Sequence, residues 1–172
     1  IASSGLLAGD DSRKGPEDRA LADREKGFLL LQAGRWREAL DMYEACILQS
    51  PSVRTEEAFQ KEVASAYREL SRAALVGGDM AEALDELERA RQWAPTEAFP
   101  YLWQGHVYEH KGDAEGALRI YQESLRNVKG QEGREAIRNR IVAILTQRLQ
   151  AALQRENLSD ALESMKALEP HL

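Results

Sequence analysis

Small and large apolar positions recur along this chain in a fixed order after each turn. Gly34-Arg35-Trp36-Arg37-Glu38-Ala39-Leu40 leads to Tyr43, and Gly78-Asp79-Met80-Ala81-Glu82-Ala83-Leu84 leads to Leu87. The order returns at Gly112-Asp113-Ala114-Glu115-Gly116-Ala117-Leu118 leading to Tyr121, and more weakly at Asn157-Leu158-Ser159-Asp160-Ala161-Leu162 leading to Met165. In each case a small residue stands four positions before a large one, which places both on one helix face. A helix cannot bury one apolar face alone, so a repeated helix-turn-helix unit stacks on its neighbours to make a core.

Turn and cap chemistry sets the element borders. Gly15-Pro16 followed by Glu17 and Asp18 predicts a helix start, with proline in the first turn and carboxylates at the positive end of the dipole. That helix runs to Ala33-Gly34. A second runs from about Trp36 to Gln49 and closes at Ser50-Pro51, because the residue before proline avoids the helical region. Thr55, with Glu56 and Glu57 behind it, predicts the cap of a helix reaching Val76. Gly77-Gly78 is a turn, and Asp79 caps a helix to about Trp93. Thr96-Glu97 opens the next, with Pro100 in its first turn, and Lys111-Gly112 ends it. Asp113 caps a helix that stops near Gly130; a long helix then spans about Gly133 to Arg155, and a last one Ser159 to Leu168.

Eight helices in four hairpins are expected, over residues about 17–51, 55–95, 96–129 and 133–169. They form one domain over 16–172 behind a polar, glycine-containing tail of residues 1–15. Gly34, Gly78 and Gly112 stand 44 and 34 residues apart, and Ala117 and Ala161 are again 44 apart. Ten extra residues amount to nearly three helical turns, about 15 Å at 1.5 Å per residue. The first helices of the second and fourth hairpins should therefore be the long ones.

These residues resemble the tetratricopeptide repeat family from position 17 to about 168. That family's unit is 34 residues long, with Trp-x2-Leu-Gly-x2-Tyr on its first helix, Ala-x3-Phe on its second and a proline after it. The third unit here has Tyr101-x2-Gln104-Gly105-x2-Tyr108 and then Ala117-x3-Tyr121. The second has Tyr67-x2-Leu70-Ser71-x2-Ala74, Ala83-x3-Leu87 and Pro95. The first keeps Gly27, Leu30, Ala39-x3-Tyr43 and Pro51 but has Asp23 and Lys26 where apolar residues are expected. The fourth keeps Leu145, Ala152, Ala161 and Met165 but carries Leu149 at the small position, as a degenerate cap would. The resemblance implies an all-α, right-handed α-solenoid of about four such hairpins. Gly27, Ser71 and Gly105 would oppose Ala39, Ala83 and Ala117, letting helices approach to about 8–10 Å. Tyr43, Leu87, Tyr108 and Tyr121 would fill the space between units.

Composition narrows the function. A 172-residue chain buries enough surface for a core without disulfides or metals. Its net charge of -6 disfavours a general nucleic-acid binder, which needs a basic stripe. Cys46 is the only cysteine, so no internal disulfide forms; its helical position predicts a small packed core residue. No apolar run reaches the roughly 20 residues that span a bilayer. Residues 1–9 look similar to the end of a bacterial lipoprotein signal, yet Asp10 stands where a lipidated cysteine is required. An envelope address rests on that hint alone, and the compartment stays open between cytoplasm and periplasm.

In the family that this chain resembles, the first helix of each unit lines a concave groove. The matching positions here include Arg24, Phe28, Arg68, Arg72, Phe99, Trp103, His106 and His110. Large apolar side chains mixed with arginine are the types enriched at binding hot spots. One subfamily grips acidic C-terminal tails through Lys, Asn, Asn, Lys and Arg. Those positions here are Arg24, Phe28, Glu69, Phe99 and Trp103, so only Arg24 keeps the character and Glu69 would repel a carboxylate. Arg68 and Arg72 are open to two readings: they engage an acidic ligand, or they pair with Glu69 or Glu62 on a solvated face.

His106-Val107-Tyr108-Glu109-His110 fits the H-x-x-E-H string of inverted zinc metallopeptidases, with both histidines on one helix face. Tyr108 is already explained by packing, and a third ligand would have to come from Glu69 or Asp113. No metal, cofactor or catalytic residue is assigned. The expected function is a non-enzymatic scaffold or adaptor that binds a partner peptide or helix in the groove. The alternative is a structural subunit of a larger assembly, in a bacterial envelope or elsewhere, contacting neighbours through the convex face, the long helices and the N-terminal tail.

Overall fold

Four turns of one geometry organise the chain. In each, the backbone N–H just past the turn's left-handed residue donates to the carbonyl five residues back, and the N–H of the left-handed residue itself to the carbonyl three back. The pairs are Arg35 to Leu30 with Gly34 to Leu31, and Asp79 to Ala74 with Gly78 to Leu75. Asp113 to Tyr108 with Gly112 to Glu109, and Asn157 to Ala152 with Glu156 to Leu153, complete the set. This helix-ending motif needs a left-handed residue, and Gly34, Gly78 and Gly112 supply it at φ of 76°, 82° and 76°. In the fourth turn the same place is taken by Glu156, at φ 55°.

The computed structural model describes residues 15–172; the tail and the lipoprotein-like segment fall almost wholly outside the described residues. Among the described residues there are eight α-helices and no strand: α1 (Pro16–Gln32), α2 (Trp36–Gln49), α3 (Glu57–Gly77), α4 (Met80–Trp93), α5 (Phe99–His110), α6 (Ala114–Asn127), α7 (Gln131–Gln154) and α8 (Leu158–Leu168). The fold class is all-α, of the helical-hairpin solenoid kind. The long first helices expected from the 44-residue spacings are α3 with 21 residues and α7 with 24, against 17 for α1 and 12 for α5.

The expected caps at Asp79 and Asp113 form: Asp79 accepts from the backbone N–H groups of Ala81 and Glu82, and Asp113 from Gly116. Asn157 caps α8 by accepting from Asp160, so that helix starts at Leu158. Thr55 does not cap α3. Pro51–Thr55 coil into a 3-10 turn in which the Thr55 hydroxyl donates to the Ser52 carbonyl, and Glu56 is extended before α3 begins. Thr96 and Glu97 lie in a turn ahead of α5, which starts at Phe99 with Pro100 in its first turn. α7 begins at Gln131, two residues early, and takes Gly133 into its first turn against Ala98.

The chain divides into two compact units, residues 1–66 and 67–172. In the first, α1 and α2 form a hairpin over Ala20, Ala39, Tyr43 and Cys46, with Val53, Phe59 and Val63 also buried. Tyr43 meets Phe59 edge-on, with ring centroids 5.4 Å apart. In the second, Tyr101, Leu118, Tyr121, Ile137, Ile141 and Leu145 form one cluster with Ala117, and Leu168 of α8 closes onto it. Tyr101 donates its hydroxyl to the Pro95 carbonyl at 3.0 Å. No helix among the described residues is long and apolar enough to cross a membrane.

Glycine makes room for tyrosine rather than for alanine alone. A Cβ at Gly27 would come within 2.8 Å and 2.9 Å of the Tyr43 ring and 3.3 Å of the Ala39 carbonyl oxygen. One at Gly105 would meet the Tyr121 ring.

Candidate functional site

Arg24 and Phe28 belong to the first unit. Arg24 of α1 donates to Glu62 through Nε at 3.2 Å and Nη2 at 2.8 Å, and to Glu56 through Nη1 at 2.8 Å. Its guanidinium also lies over the Phe59 ring, 5.4 Å from the centroid. The hydrogen bonds to Glu62 raise its pKa further above the usual arginine range, against the cost of burial. Arg24 is thus a staple from α1 to the start of α3. Phe28, one helical turn on, is 43% exposed.

The remaining six candidates lie in the second unit, on the last three turns of α3 and on α5. Arg68 donates to Glu69 at 3.3 Å, and Arg72 donates to the same carboxylate at 2.9 Å. Two guanidiniums therefore share one carboxylate, the pairing expected of a solvated face, and each keeps spare N–H donors. Arg68 also stacks over the Phe99 ring at 5.4 Å, holding both at the start of α5.

Arg72, Leu75, Val76, Trp103 and His106 line an open cleft of about 330 Å³. Trp103 and Leu75 are half-buried, His106 is exposed, and Val76 is 87% exposed. Burial and the nearby Arg140 hold His106 below its ordinary pKa, against the opposing pull of Glu109, so its imidazole is neutral at pH 7.

Glu109 of α5 is committed to a network. Tyr121 donates its hydroxyl to Glu109 at 2.7 Å, and Arg140 of α7 pairs with the same carboxylate. Burial pushes the Tyr121 phenol well above its ordinary range, with Glu109 adding to the shift. Nothing local in the sequence joins Arg140 to Glu109, 31 residues apart. A second cleft, of about 320 Å³, opens between the Gly112–Ala114 turn and Ile144, Gln147 and Arg148 of α7.

His106 and His110 are both exposed on α5. Among the described residues no three His, Cys, Asp or Glu side chains come together to hold a metal ion. Asp113 is occupied as a helix cap and Glu69 by two arginines, which removes both suggested third ligands. Cys46 is buried, and that burial raises its thiol pKa, away from the reactive thiolate. The arrangement can bind through stacking, apolar contact and guanidinium hydrogen bonds.

Helical hairpins with small residues where helices approach, and first helices carrying Arg, Phe and Trp, define an all-α protein of hairpin repeats. The chain is similar to the tetratricopeptide repeat family, whose model matches residues 24–98. Among solved structures, the crystal structure of MamA matches 91% of this chain and 79% of that chain, at 15% identity and a TM-score of 0.43. No curated protein matches the sequence. Tetratricopeptide repeats are protein-interaction modules, and residues 24–98 are similar to such repeats.

Proposed function

We propose that the chain is a non-enzymatic adaptor that holds a partner peptide or helix in a groove lined by the first helices of its hairpins. The observation that carries this reading is the cleft of Arg72, Leu75, Val76, Trp103 and His106. It puts an indole and two aliphatic side chains beside donors with unused N–H groups, a combination found at hot spots. Val76, largely exposed, gains from a partner what the fold does not give it.

A second reading, a structural subunit of a larger assembly that contacts neighbours through its convex face, long helices and N-terminal tail, draws on the exposed apolar side chains of α8. Leu158, Leu162 and Met165 stand four and three residues apart on that helix and are 76%, 53% and 56% exposed. The two readings separate in a capture experiment from source-cell lysate, comparing the natural chain with Arg68→Glu/Arg72→Glu/Phe99→Ala and identifying bound proteins by mass spectrometry. A partner lost from the folded variant supports the groove. A partner retained equally moves the interface elsewhere, and Leu158→Ser/Leu162→Ser should then release it.

A further inference from the structure

We propose that the cleft between α3 and α5 of the second unit takes one large apolar side chain of a partner segment whose adjacent residues are acidic. This rests on the groove reading above and adds the chemistry of the occupant.

The apolar part follows from size and lining. About 330 Å³ of open space between Leu75, Val76 and Trp103 suits a single leucine, methionine or phenylalanine side chain rather than a whole helix face. The walls are apolar, and the polar groups, Arg72 and His106, are both cationic or protonatable.

The acidic part follows from the local balance of charge. Arg68 and Arg72 share the Glu69 carboxylate, and Arg140 has Glu109, which also accepts from Tyr121. Arg72 lines the cleft and shares the single Glu69 carboxylate with Arg68 one helical turn away, so two guanidiniums stand against one carboxylate there, a local excess of positive charge in a chain of net charge -6. Charges elsewhere are screened beyond roughly 8 Å at physiological salt, so the nearby groups decide which partner is favoured. Arg68 is held in place by Phe99, which lowers the entropy lost when it binds. A carboxylate beside the apolar anchor would accept from Arg72 without breaking the Arg72–Glu69 pair, since a guanidinium has five donors. A lysine at that place would meet the Arg72 guanidinium as a like charge.

The test is a selection of random peptides of about twelve residues, displayed on phage and panned on the purified chain. Enriched peptides are then synthesised with a fluorescent label and titrated by anisotropy. The variants are Arg72→Glu, Trp103→Ala and, as a control on α6, Arg119→Glu. Enriched peptides should pair a large apolar residue with a neighbouring Asp or Glu. Arg72→Glu should weaken them by about tenfold or more, and Arg119→Glu by less than about twofold. Apolar peptides without acidic neighbours, lost on Trp103→Ala but indifferent to Arg72→Glu, would overturn the acidic preference and leave the groove standing. Peptides indifferent to both substitutions, or a selection that enriches nothing, would overturn the groove as well. Arg72 is exposed, so its variant should keep the natural thermal midpoint, and a melting curve confirms that lost binding is not lost folding.

Discussion

Gly105 of α5 lies directly beneath the ring of Tyr121 of α6, so closely that a Cβ there would stand 2.5 Å from the Tyr121 hydroxyl oxygen and nearer still to Cε1 and Cζ. The ring cannot retreat cheaply. Tyr121 is fully buried, and its hydroxyl is bonded to Glu109. Gly105→Ala should therefore overpack the hairpin and cost about 1–3 kcal/mol. For a chain of this length that lowers the thermal midpoint by roughly 3–10 °C. Gly77, with nothing near its Cβ direction, is the control: Gly77→Ala should leave the midpoint unchanged or raise it slightly.

Ala83 and Ala117 have no exposed surface at all. Leucine at either place adds three carbons to a filled crossing and should cost about 1–3 kcal/mol. Chemical denaturation of Ala83→Leu and Ala117→Leu measures it. Unchanged midpoints in both would mean that these alanines do not sit at helix crossings.

Glu156→Gly should stabilise the chain. The turn geometry demands a left-handed residue, and Glu156 adopts it at φ 55° with a Cβ that opposes it. Removing that strain is worth about 1 kcal/mol, less the extra backbone freedom that glycine has when unfolded. A modest rise in the thermal midpoint is expected, whereas Gly78→Glu or Gly112→Glu, the reverse change, should lower it.

Binding of an acidic partner at the cleft should strengthen as pH falls. His106 is held below its ordinary 6.5 by burial and by Arg140 of α7, with Arg72 of α3 beside it and Glu109 of α5 opposing. A carboxylate placed in the cleft raises its pKa in the complex, so protonation is taken up on binding and affinity grows as pH falls. Titrating an enriched acidic peptide at pH 7.5 and 5.5 should show a gain of about threefold to tenfold. The gain should vanish in His106→Gln.

What the sequence discloses is local. Asp79 and Asp113 announce their caps because a carboxylate before an apolar-periodic run has one favourable use. The hairpin turns announce themselves through glycine, and Glu156 is missed because an observed torsion, not a residue type, defines it. Thr55 misleads since Pro51 and Ser52 offer its hydroxyl a nearer acceptor than a helix start. Among the site residues, the arginines could be placed on α3 by periodicity, and Arg68–Glu69–Arg72 sharing is legible from their spacing. The Arg68–Phe99 stack and the Tyr121–Glu109–Arg140 network are not, because each joins positions more than ten residues apart that only packing brings together.

The two ion pairs that run between successive first helices have opposite polarity. Arg24 on α1 meets Glu62 on α3, whereas Glu109 on α5 meets Arg140 on α7, and Glu62 and Arg140 are separated by 78 residues, the same interval as Tyr43 and Tyr121. Near-identical hairpins invite misassembly, in which one strays into the berth of another during folding or between molecules. Were α7 to settle against α1, Arg140 would confront Arg24; were α3 to take the place of α7 on the other side of α5, Glu62 would confront Glu109. Each wrong pairing sets like charges face to face at partly buried positions. Alternating the sign from one pair to the next thus gives interchangeable shapes an order of assembly, as a keyed connector does for identical plugs.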